Sequence, residues 1–308
     1  QNVKIPTSSG FSQMTTNFGW VKNEGLEISG RFYILDKTPL KWNLNANISF
    51  NKNIVGGLDN DQYASKLWNA ADYVFIQRNG MPIGAIYGYV EDGFYNNEAE
   101  VRANPIYANA SDAIIKQKIG EIKYLNLDDD PNITEADRTM IGNTNPDFIL
   151  GVTNDFTWKN FNLSFFFQGV FGNDIFNGNL MDVTLASIGN IPRFAYDGRW
   201  TPDNYENASW PKVNNGYNRE WLISNRYIED GSYLRLKNLT LGYEFRLPFE
   251  GISSVNVFAN ATNLFTISKY RWFDPDVNSF GGDASRRGVD IHAYPSSRTF
   301  SLGLKLVF

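Results

Sequence analysis

Hydrophobic and polar residues alternate along seven segments of the chain. In "LKWNLNANISFNKN", Asn or Ser residues separate the apolar residues Trp42, Leu44, Ala46, Ile48 and Phe50. "NFNLSFFFQG" and "VNVFANATN" follow the same period of two. That period places successive side chains on opposite faces of a β-strand. We predict strands near residues 20–35, 40–52, 147–158, 160–171, 231–246, 253–264 and 296–308.

The polar face of these strands consists mainly of Asn, Ser, Thr and Gln. The exterior of a soluble sandwich usually carries Lys and Glu, whereas the interior of a large barrel is wet and polar. Each quoted segment has about 10–13 residues, which is long enough for a tilted strand to cross a bilayer. The pattern therefore predicts an all-β fold, an antiparallel transmembrane β-barrel.

The connections between the segments alternate between short and long. "ILDKTPLKW", "FTWKNFNL" and "FRLPFEGISSV" contain short joins rich in turn residues. The long joins cover about 53–147, 172–225 and 265–295. Outer-membrane barrels have short turns on one side and long extracellular loops on the other. Within the first long loop, residues 97–118 form the best helical candidate.

The predicted strand number is odd, and bacterial single-chain barrels close with an even number. We therefore expect residues 1–308 to be the carboxy-terminal part of a larger barrel, with the amino-terminal strands absent from this chain. The last segment, "RTFSLGLKLVF", is either the apolar, aggregation-prone edge strand of a soluble sandwich or a strand of a closed barrel. We favour the barrel, and we predict an assembly signal for the outer membrane formed by Phe300, Leu302, Leu304, Leu306 and Phe308.

Composition narrows the class of protein further. Aromatic residues make up 15% of a chain whose mean hydropathy is negative, as in transmembrane barrels. The chain shows neither a signal peptide nor an apolar run long enough for a membrane-spanning helix. With 28 basic and 33 acidic residues and no basic run, it does not have the composition of a nucleic-acid-binding protein.

Few residues in this sequence are candidates for a catalytic role. Cysteine is absent, and the one histidine, His292, lies in a polar stretch that predicts a solvated loop residue. Two pairs of carboxylates, Asp274 with Asp276 and Asp128 with Asp130, lie in polar loops, where a raised pKa is difficult to achieve. We predict that the protein is not an enzyme.

The segment "NLDDDPNITEAD" has the oxygen spacing of an EF-hand-like calcium loop. Positions 1, 3, 5, 7, 9 and 12 are occupied by Asn126, Asp128, Asp130, Asn132, Thr134 and Asp137. Pro131 replaces the glycine of the usual turn, and Asp137 is shorter than the usual glutamate. One hypothesis is a Ca²⁺ ion that rigidifies the loop, and the other is an acidic surface loop without an ion.

Aromatic residues are frequent in the long loops. Their rings offer flat apolar faces that stack on sugars or pack on peptide side chains. Alternatively, they pack loop against loop or form an interfacial girdle. We expect packing for each residue taken singly, and contact with a substrate or a lid for some members of the set, which are Trp200, Tyr205, Trp210, Trp221, Trp272, Phe273 and Tyr294.

Seven motifs, in order, resemble the carboxy-terminal region of SusC/RagA-type TonB-dependent outer-membrane transporters. They are "WVKNEGLEISG", "IGAIYGYVEDGFY", "GEIKYLNLDDDPNITEADRTMIGNTNPDFILG", "RWTPDN", "YIEDGSYLRLKNLTLGYEF", "NATNLFTISKYRWFDPDV" and "GVDIHAYPSSRTFSLGLKLVF". The resemblance implies a 22-stranded plugged barrel in the outer membrane of a Gram-negative, Bacteroidota-like bacterium, with the plug domain absent from this chain. It also implies energy coupling through TonB and a SusD-like surface lipoprotein as a lid.

The resemblance implies nutrient import, with an oligosaccharide as the expected substrate and an oligopeptide as the alternative. Two other classes remain open. A passive porin would need no plug and would carry rings of charge at a constriction. A surface-binding adhesin would keep the aromatic loops and expose its polar sheet face to bulk water.

Overall fold

The computed structural model describes residues 2–4, 6–15, 19–66, 73–128, 130–185, 190–213, 222–249 and 251–308. Its strands are β1 (Asn2–Lys4), β2 (Gln13–Thr15), β3 (Trp20–Leu35), β4 (Leu40–Gly56), β5 (Gln62–Lys66), β6 (Tyr73–Gln77), β7 (Ala85–Gly88), β8 (Glu91–Phe94), β9 (Ile122–Tyr124), β10 (Thr139–Asn143), β11 (Phe148–Trp158), β12 (Phe161–Phe171), β13 (Asp174–Asn177), β14 (Ile228–Asp230), β15 (Tyr233–Phe249), β16 (Ile252–Ser268), β17 (Val289–Asp290) and β18 (Thr299–Val307). Its α-helices are α1 (Glu98–Ala103), α2 (Asp112–Lys118), α3 (Gly178–Leu185) and α4 (Arg193–Asp197).

Seven of these strands form one antiparallel sheet, which we call the wall. In the described residues, its strand order is β18-β16-β15-β12-β11-β4-β3. Neighbours in the wall are neighbours along the chain, as in an up-and-down barrel. All seven predicted strands are therefore confirmed, with ends that shift by a few residues.

The register of the wall keeps one apolar and one polar face across all seven strands. Ala46 pairs with Gly30 and Val152, and Val152 pairs with Phe167 on the next strand. Directly paired residues in an antiparallel ladder point to the same side, so the apolar positions line up from strand to strand. The period of two that predicted each strand also predicted which residues share a face.

Short turns join the wall strands at one end. The β11–β12 turn contains only Lys159 and Asn160, and Lys159 has a φ of 53°. The β15–β16 turn contains Gly251 with a φ of 99°, a conformation that glycine adopts at little cost. These turns fix the register of each hairpin, which keeps the two faces separate.

At the other end of the wall, three long segments connect the strands. We call them loop A (residues 57–147), loop B (residues 172–232) and loop C (residues 269–298). They contain a sheet of order β10-β7-β6-β5, a sheet of order β14-β13-β17 and the two-stranded sheet β8-β9. The sequence predicted the loops but not these strands, because short paired strands without alternation give no periodic signal.

The predicted helix at residues 97–118 is divided. Helix α1 ends at Ala103, Asn104 is extended, and Pro105 begins a short 3₁₀ turn before α2. A residue before proline is sterically disfavoured in the helical region, so Asn104 interrupts the helix. The predicted helical stretch is confirmed, and it consists of two short helices.

Among the described residues, the largest buried apolar cluster lies in the loops. Its residues come from all three loops and are Val74, Phe75, Ile86, Phe176, Leu180, Met181, Ala195, Trp210, Ile223, Tyr227 and Val289. We call this set the loop core. In the described part of the chain, no helix is long and apolar enough to cross a membrane.

Candidate functional site

The apolar face of the wall carries aromatic residues at both of its ends. Near the short turns, Trp42 stacks on Phe156 and Trp158 lies over Phe161. Near the long loops, Phe148 stacks on Phe171. The two groups are separated by about ten residues of strand, which at about 3.3 Å per residue and a tilt of about 40° corresponds to about 25 Å. This spacing matches the height of the lipid-facing band of a transmembrane barrel.

The polar face carries hydrogen bonds between neighbouring strands. Arg31 Nε donates to Asn45 Oδ1 over 2.7 Å, and Ser164 Oγ donates to Asp155 Oδ1 over 2.7 Å. Small amides and hydroxyls occupy most of the remaining positions, including Asn43, Asn47 and Thr153. Charged side chains such as Arg31 and Asp155 lie among them, so this face is polar from strand to strand.

A buried arginine connects the polar face to loop C. Arg235 on β15 is 1% exposed, and its guanidinium forms a short ion pair with Asp274. It also donates from Nε to Thr266 Oγ1 over 2.9 Å and from Nη1 to Ser296 Oγ over 3.2 Å. Asp276 accepts a longer contact of 3.4 Å from Nη1. We call this group the Arg235 network.

The Arg235 network holds Asp274 in its ionised form. Burial by itself raises the pKa of Asp274, but N–H donors of Asp276 and Ser296, the Ser296 hydroxyl and the Arg235 guanidinium together hold that pKa below its usual value. A lowered pKa in the folded state means that the stabilisation is complete at neutral pH and is lost only as the pH falls through the lowered value. The Asp274–Asp276 pair therefore helps to hold loop C on the wall.

Sequence reasoning did not identify Arg235 as a special residue. It occupies a polar position of a predicted strand, between Leu234 and Leu236, and its partners lie 31 to 61 residues away. The one signal available was an arginine at a position where the other strands carry amides and hydroxyls. Its burial depends on how loop C folds back on the wall, which no local pattern encodes.

Two of the predicted loop aromatics pack between loops. Trp200 is 8% exposed, and its Nε1 donates to Asn96 Oδ1 of loop A over 3.0 Å. Trp210 is equally buried and lies beside Phe194, with the Arg226 guanidinium over its ring. In the chain by itself, their ring faces are covered by protein.

Other predicted aromatics are open to solvent. Tyr294 is 92% exposed and Phe273 is 74% exposed, while Tyr205 is exposed and donates its hydroxyl to Glu206. Trp272 is half-buried against Phe273, with ring centroids 5.6 Å apart. Trp221 lies outside the described residues. Loop C thus presents Phe273 and Tyr294 as free aromatic surfaces.

The predicted cation loop is held together by its own hydrogen bonds. Asp128 Oδ1 accepts from the Asp130 N–H over 2.8 Å, and Asp130 Oδ1 accepts from the Asn132 N–H over 2.9 Å. The Asn126 side chain donates to the Asp130 carbonyl in a short contact. Thr134 Oγ1 accepts from the Ala136 N–H over 3.2 Å.

The side chain of Asp137 links two parts of this loop. It is fully buried, and its two carboxylate oxygens accept from the N–H groups of Leu127 and Thr134 over 2.7 Å each. Its position as a reciprocal cap therefore gives the loop a protein-based anchor. Among the described residues, no group of three or more His, Cys, Asp and Glu side chains is placed to hold a metal ion.

The predicted assembly segment forms β18, at one edge of the wall. Its apolar residues share a face and are strongly exposed, at 69% for Phe300 and 85% for Leu302. Leu304, Leu306 and Phe308 are also exposed. In the described residues β18 pairs only with β16, so one row of backbone groups remains available to another strand.

Comparison with known proteins identifies relatives along the whole chain. No family model matches it. It is 32% identical over 320 residues to a TonB-dependent receptor of Formosa agariphila, covering 99% of this chain and 30% of that protein. It is 28% identical over 318 residues to the TonB-dependent receptor SusC of Bacteroides thetaiotaomicron, covering 100% of this chain and 28% of SusC. The chain therefore spans about 30% of the length of the curated relatives it matches.

Solved structures agree on the fold. The RagAB peptide importer in its open-open state matches with a TM-score of 0.74 at 22% identity, over 99% of this chain and 31% of that chain. A second structure, of the RagAB peptide transporter, matches with a TM-score of 0.73 at 23% identity, with the same coverage. The wall and its loops therefore have the architecture of part of a RagA-type barrel.

Proposed function

We propose that this chain, which belongs to the SusC/RagA-type TonB-dependent receptors and spans about 30% of their length, forms part of an outer-membrane importer driven through TonB. Its wall contributes seven strands to the barrel, with the apolar face in lipid and the polar face toward the lumen. The observation that carries the proposal is the separation of a mainly apolar from a mainly polar face, which the strand register maintains across the wall.

In this proposal a nutrient is captured above the lumen between loops A, B and C and a SusD-like surface lipoprotein. Energy supplied by TonB then moves the plug, and the solute passes along the polar face. Amides and hydroxyls such as those of Asn45 and Thr153 exchange hydrogen bonds with water and solute at similar free energy, which favours passage over retention. The expected substrate is an oligosaccharide, and an oligopeptide is the alternative.

Uptake by intact cells tests the proposal. A strain that lacks the complete receptor gene, and the same strain complemented with it, are given a starch hydrolysate or a tryptic digest of casein. We expect the gene to restore uptake of one mixture, and we expect an uncoupler of the inner-membrane proton gradient to abolish that uptake. Uptake that persists with the uncoupler would indicate a passive porin, and binding without uptake would indicate an adhesin.

The exposed aromatics of loop C are the proposed contacts for substrate or lid. Replacing Phe273 and Tyr294 together by alanine removes two flat apolar surfaces worth about 0.5–1.5 kcal/mol each when a ring is stacked. We expect weaker binding of the transported mixture, by about tenfold or more, measured by calorimetry on the purified full receptor. Phe161→Ala, on the apolar face near the short turns, is the matched control and should leave binding unchanged. Equal binding by both variants would exclude these rings from the contact.

A calcium ion, or a similar cation, in the 126–137 loop is a further part of the proposal. Two observations support the ion. Side chains with oxygen atoms occur at alternating positions of the segment. The Oδ2 atoms of Asp128 and Asp130 also have no hydrogen bond among the described residues. Asn126, Asn132, Thr134 and Asp137 complete the proposed ligand set. The ion would stiffen the loop and take no part in catalysis.

Calcium titration with protease mapping tests this site. Because Asp137 already anchors the loop through two N–H groups, we expect chelation to cause a local change, with faster cleavage confined to residues near 126–137. Asp128→Asn with Asp130→Asn should abolish the calcium effect, whereas Asp112→Asn, an exposed acid elsewhere in loop A, should preserve it. Cleavage rates that do not depend on calcium in the unmodified receptor would refute the site.

A further inference from the structure

A groove runs along the apolar face of the wall between strands β15 and β18. Its floor is formed by Ala259 and Ala261 of β16, whose side chains have one carbon each. Ala261 pairs with Leu239 on one side and with Phe300 on the other, so larger side chains stand on both sides of it. The groove has a volume of about 590 Å³, within the range of about 300–1,000 Å³ that is usual for small-molecule sites.

The surface of this groove is almost entirely carbon. The polar neighbours Asn260 and Ser301 pair with each other on the opposite face of the wall. On that face, Asn260 Oδ1 accepts a hydrogen bond from Thr240 Oγ1 over 3.0 Å. The groove therefore offers dispersion contacts and burial to an apolar chain, and few hydrogen bonds.

Two glycines elsewhere on the apolar face leave no comparable groove. A side-chain carbon added at Gly30 would lie 2.8 Å from the ring of Phe32, and one added at Gly169 would lie 2.5 Å from the ring of Phe171. In both places an aromatic ring of the chain itself occupies the space over the small residue. The space over Ala259 and Ala261 stays open instead.

A polar cleft of about 230 Å³ lies at the long-loop end of this groove. It is bounded by the end of β16, including Phe265 and Thr266, and by residues 295–298 of loop C. Arg298 lines the cleft and precedes Phe300 of the groove by two residues, which corresponds to about 7 Å of extended chain. The cleft and the groove therefore lie end to end, polar near the loops and apolar toward the middle of the wall.

The cleft contains a cation without a partner. Among the described residues, Asp274 is the one acid that lines it, and this carboxylate already pairs with Arg235. The exposed guanidinium of Arg298 has no hydrogen bond or ion pair within the described part of the chain. The cleft thus carries an excess positive charge, which an anionic group would complement.

We propose that this surface binds one phosphate-bearing lipid of the outer leaflet, with an acyl chain in the groove and a phosphate at Arg298. The inference rests on the proposed function, because it needs the apolar face in lipid and the long loops outside the cell. A lipid fits both halves, since its headgroup and its chain are joined end to end as the cleft and the groove are. An arginine at the membrane surface can place its charge among headgroups while its carbon stem stays in apolar surroundings.

Native mass spectrometry of the purified full receptor, freed of lipid by detergent exchange, tests this site. The probes are diphosphorylated lipid A, the same lipid A without its phosphates, and inorganic phosphate. We expect one diphosphorylated lipid A to bind at least about tenfold more tightly than the dephosphorylated form, as for the loss of a charge-assisted hydrogen bond. Inorganic phosphate should bind more weakly than either lipid, because it has no chain for the groove.

Two substitutions examine the two halves separately. Arg298→Gln removes the charge, and Ala259→Leu fills the groove from an exposed position, where the added carbons do not overpack a core. We expect each to weaken the binding of diphosphorylated lipid A by about tenfold. The matched controls are Arg246→Gln, an exposed arginine near the short turns, and Val257→Leu, on the same face of β16 outside the groove. Both controls should bind lipid A as the unmodified receptor does.

Three results would overturn the proposal. The first is equal lipid A binding by all variants, or a loss in only one of the two, because a single ligand must need both halves of the site. The second is inorganic phosphate that binds as tightly as lipid A, which would show an anion site without a lipid. The third is a dimeric receptor that Ala259→Leu converts to a monomer with lipid A binding unchanged, which would assign the groove to a second copy of the receptor.

Two further measurements separate the lipid site from misfolding and from the transport function. Arg298→Lys keeps the positive charge and should retain most of the lipid A binding, whereas a fold that requires this arginine would fail in both Arg298 variants. Uptake of the transported mixture by cells shows that each variant is assembled. A receptor that binds lipid A as expected but shows no uptake supports the lipid site while the proposed function fails.

Discussion

Phe176→Ala is expected to loosen all three loops together, although the residue belongs only to loop B. Its side chain has no measurable exposure, it belongs to the same buried cluster as residues of loops A and C, and its backbone pairs with Val289 of loop C. Truncating a buried phenylalanine costs about 3–5 kcal/mol, because transfer free energy is lost and a cavity remains. A loss of stability of that size affects the common core. Protection of backbone amides from hydrogen exchange should therefore fall in every segment that contributes to this core.

Hydrogen exchange on the full receptor measures this effect. We expect faster exchange in β6 and β7 of loop A, in β13 of loop B and in β17 of loop C, with little change in the wall strands. Tyr294→Ala is the matched control, because its ring is 92% exposed and its removal should change stability by less than about 0.5 kcal/mol. Faster exchange confined to loop B would contradict a shared core.

Arg235→Met is expected to release loop C from the wall. The substitution keeps much of the side-chain volume but leaves the Asp274 carboxylate buried without its cation, since the Asp274 side chain is only 6% exposed. Removing one partner of a buried ion pair costs about 3–5 kcal/mol. We expect rapid proteolysis within residues 269–298 of the purified receptor, while loop A stays resistant at first.

A second substitution separates the lost ion pair from simple misfolding. Adding Asp274→Asn to Arg235→Met removes the unpaired buried charge, so a large part of the resistance should return. Glu24→Gln is the control for an ion pair, because Lys22 and Glu24 are 59% and 69% exposed and such pairs contribute about 0–1 kcal/mol. Equal proteolysis of the single and double Arg235 variants would show that Asp274 is not the cause.

The alternation of apolar and polar residues allowed the wall strands to be predicted from sequence. The loops lack this pattern, so their strands could not be predicted in the same way. The polar positions of β4, such as Asn43, Asn45 and Asn47, lie on one face as predicted. The strands inside the loops are two to five residues long, and several pair with segments from other parts of the chain. A pattern of period two needs more residues than these strands have, so it indicated only that the loops are long.

The candidate site residues were also only partly predictable from sequence. Sequence spacing predicted a cation loop at 126–137, and the structure adds that Asp137 is its internal anchor. Composition singled out Trp200 and Tyr294 alike, and only the fold distinguishes them, since Trp200 is packed between loops and Tyr294 is open to solvent. Aromatic residue type gives the capacity for contact, but exposure decides whether a ligand can reach the ring.

The amino-acid sequence by itself determined the strands of the wall, their two faces and the positions of the long loops, because side-chain direction in a strand follows from local backbone geometry. Only the tertiary structure decided that the loops share one core and that Arg235 fastens loop C to the wall. Those features depend on contacts between residues far apart in the chain, and the free energy of such contacts comes from burial that no short segment possesses alone.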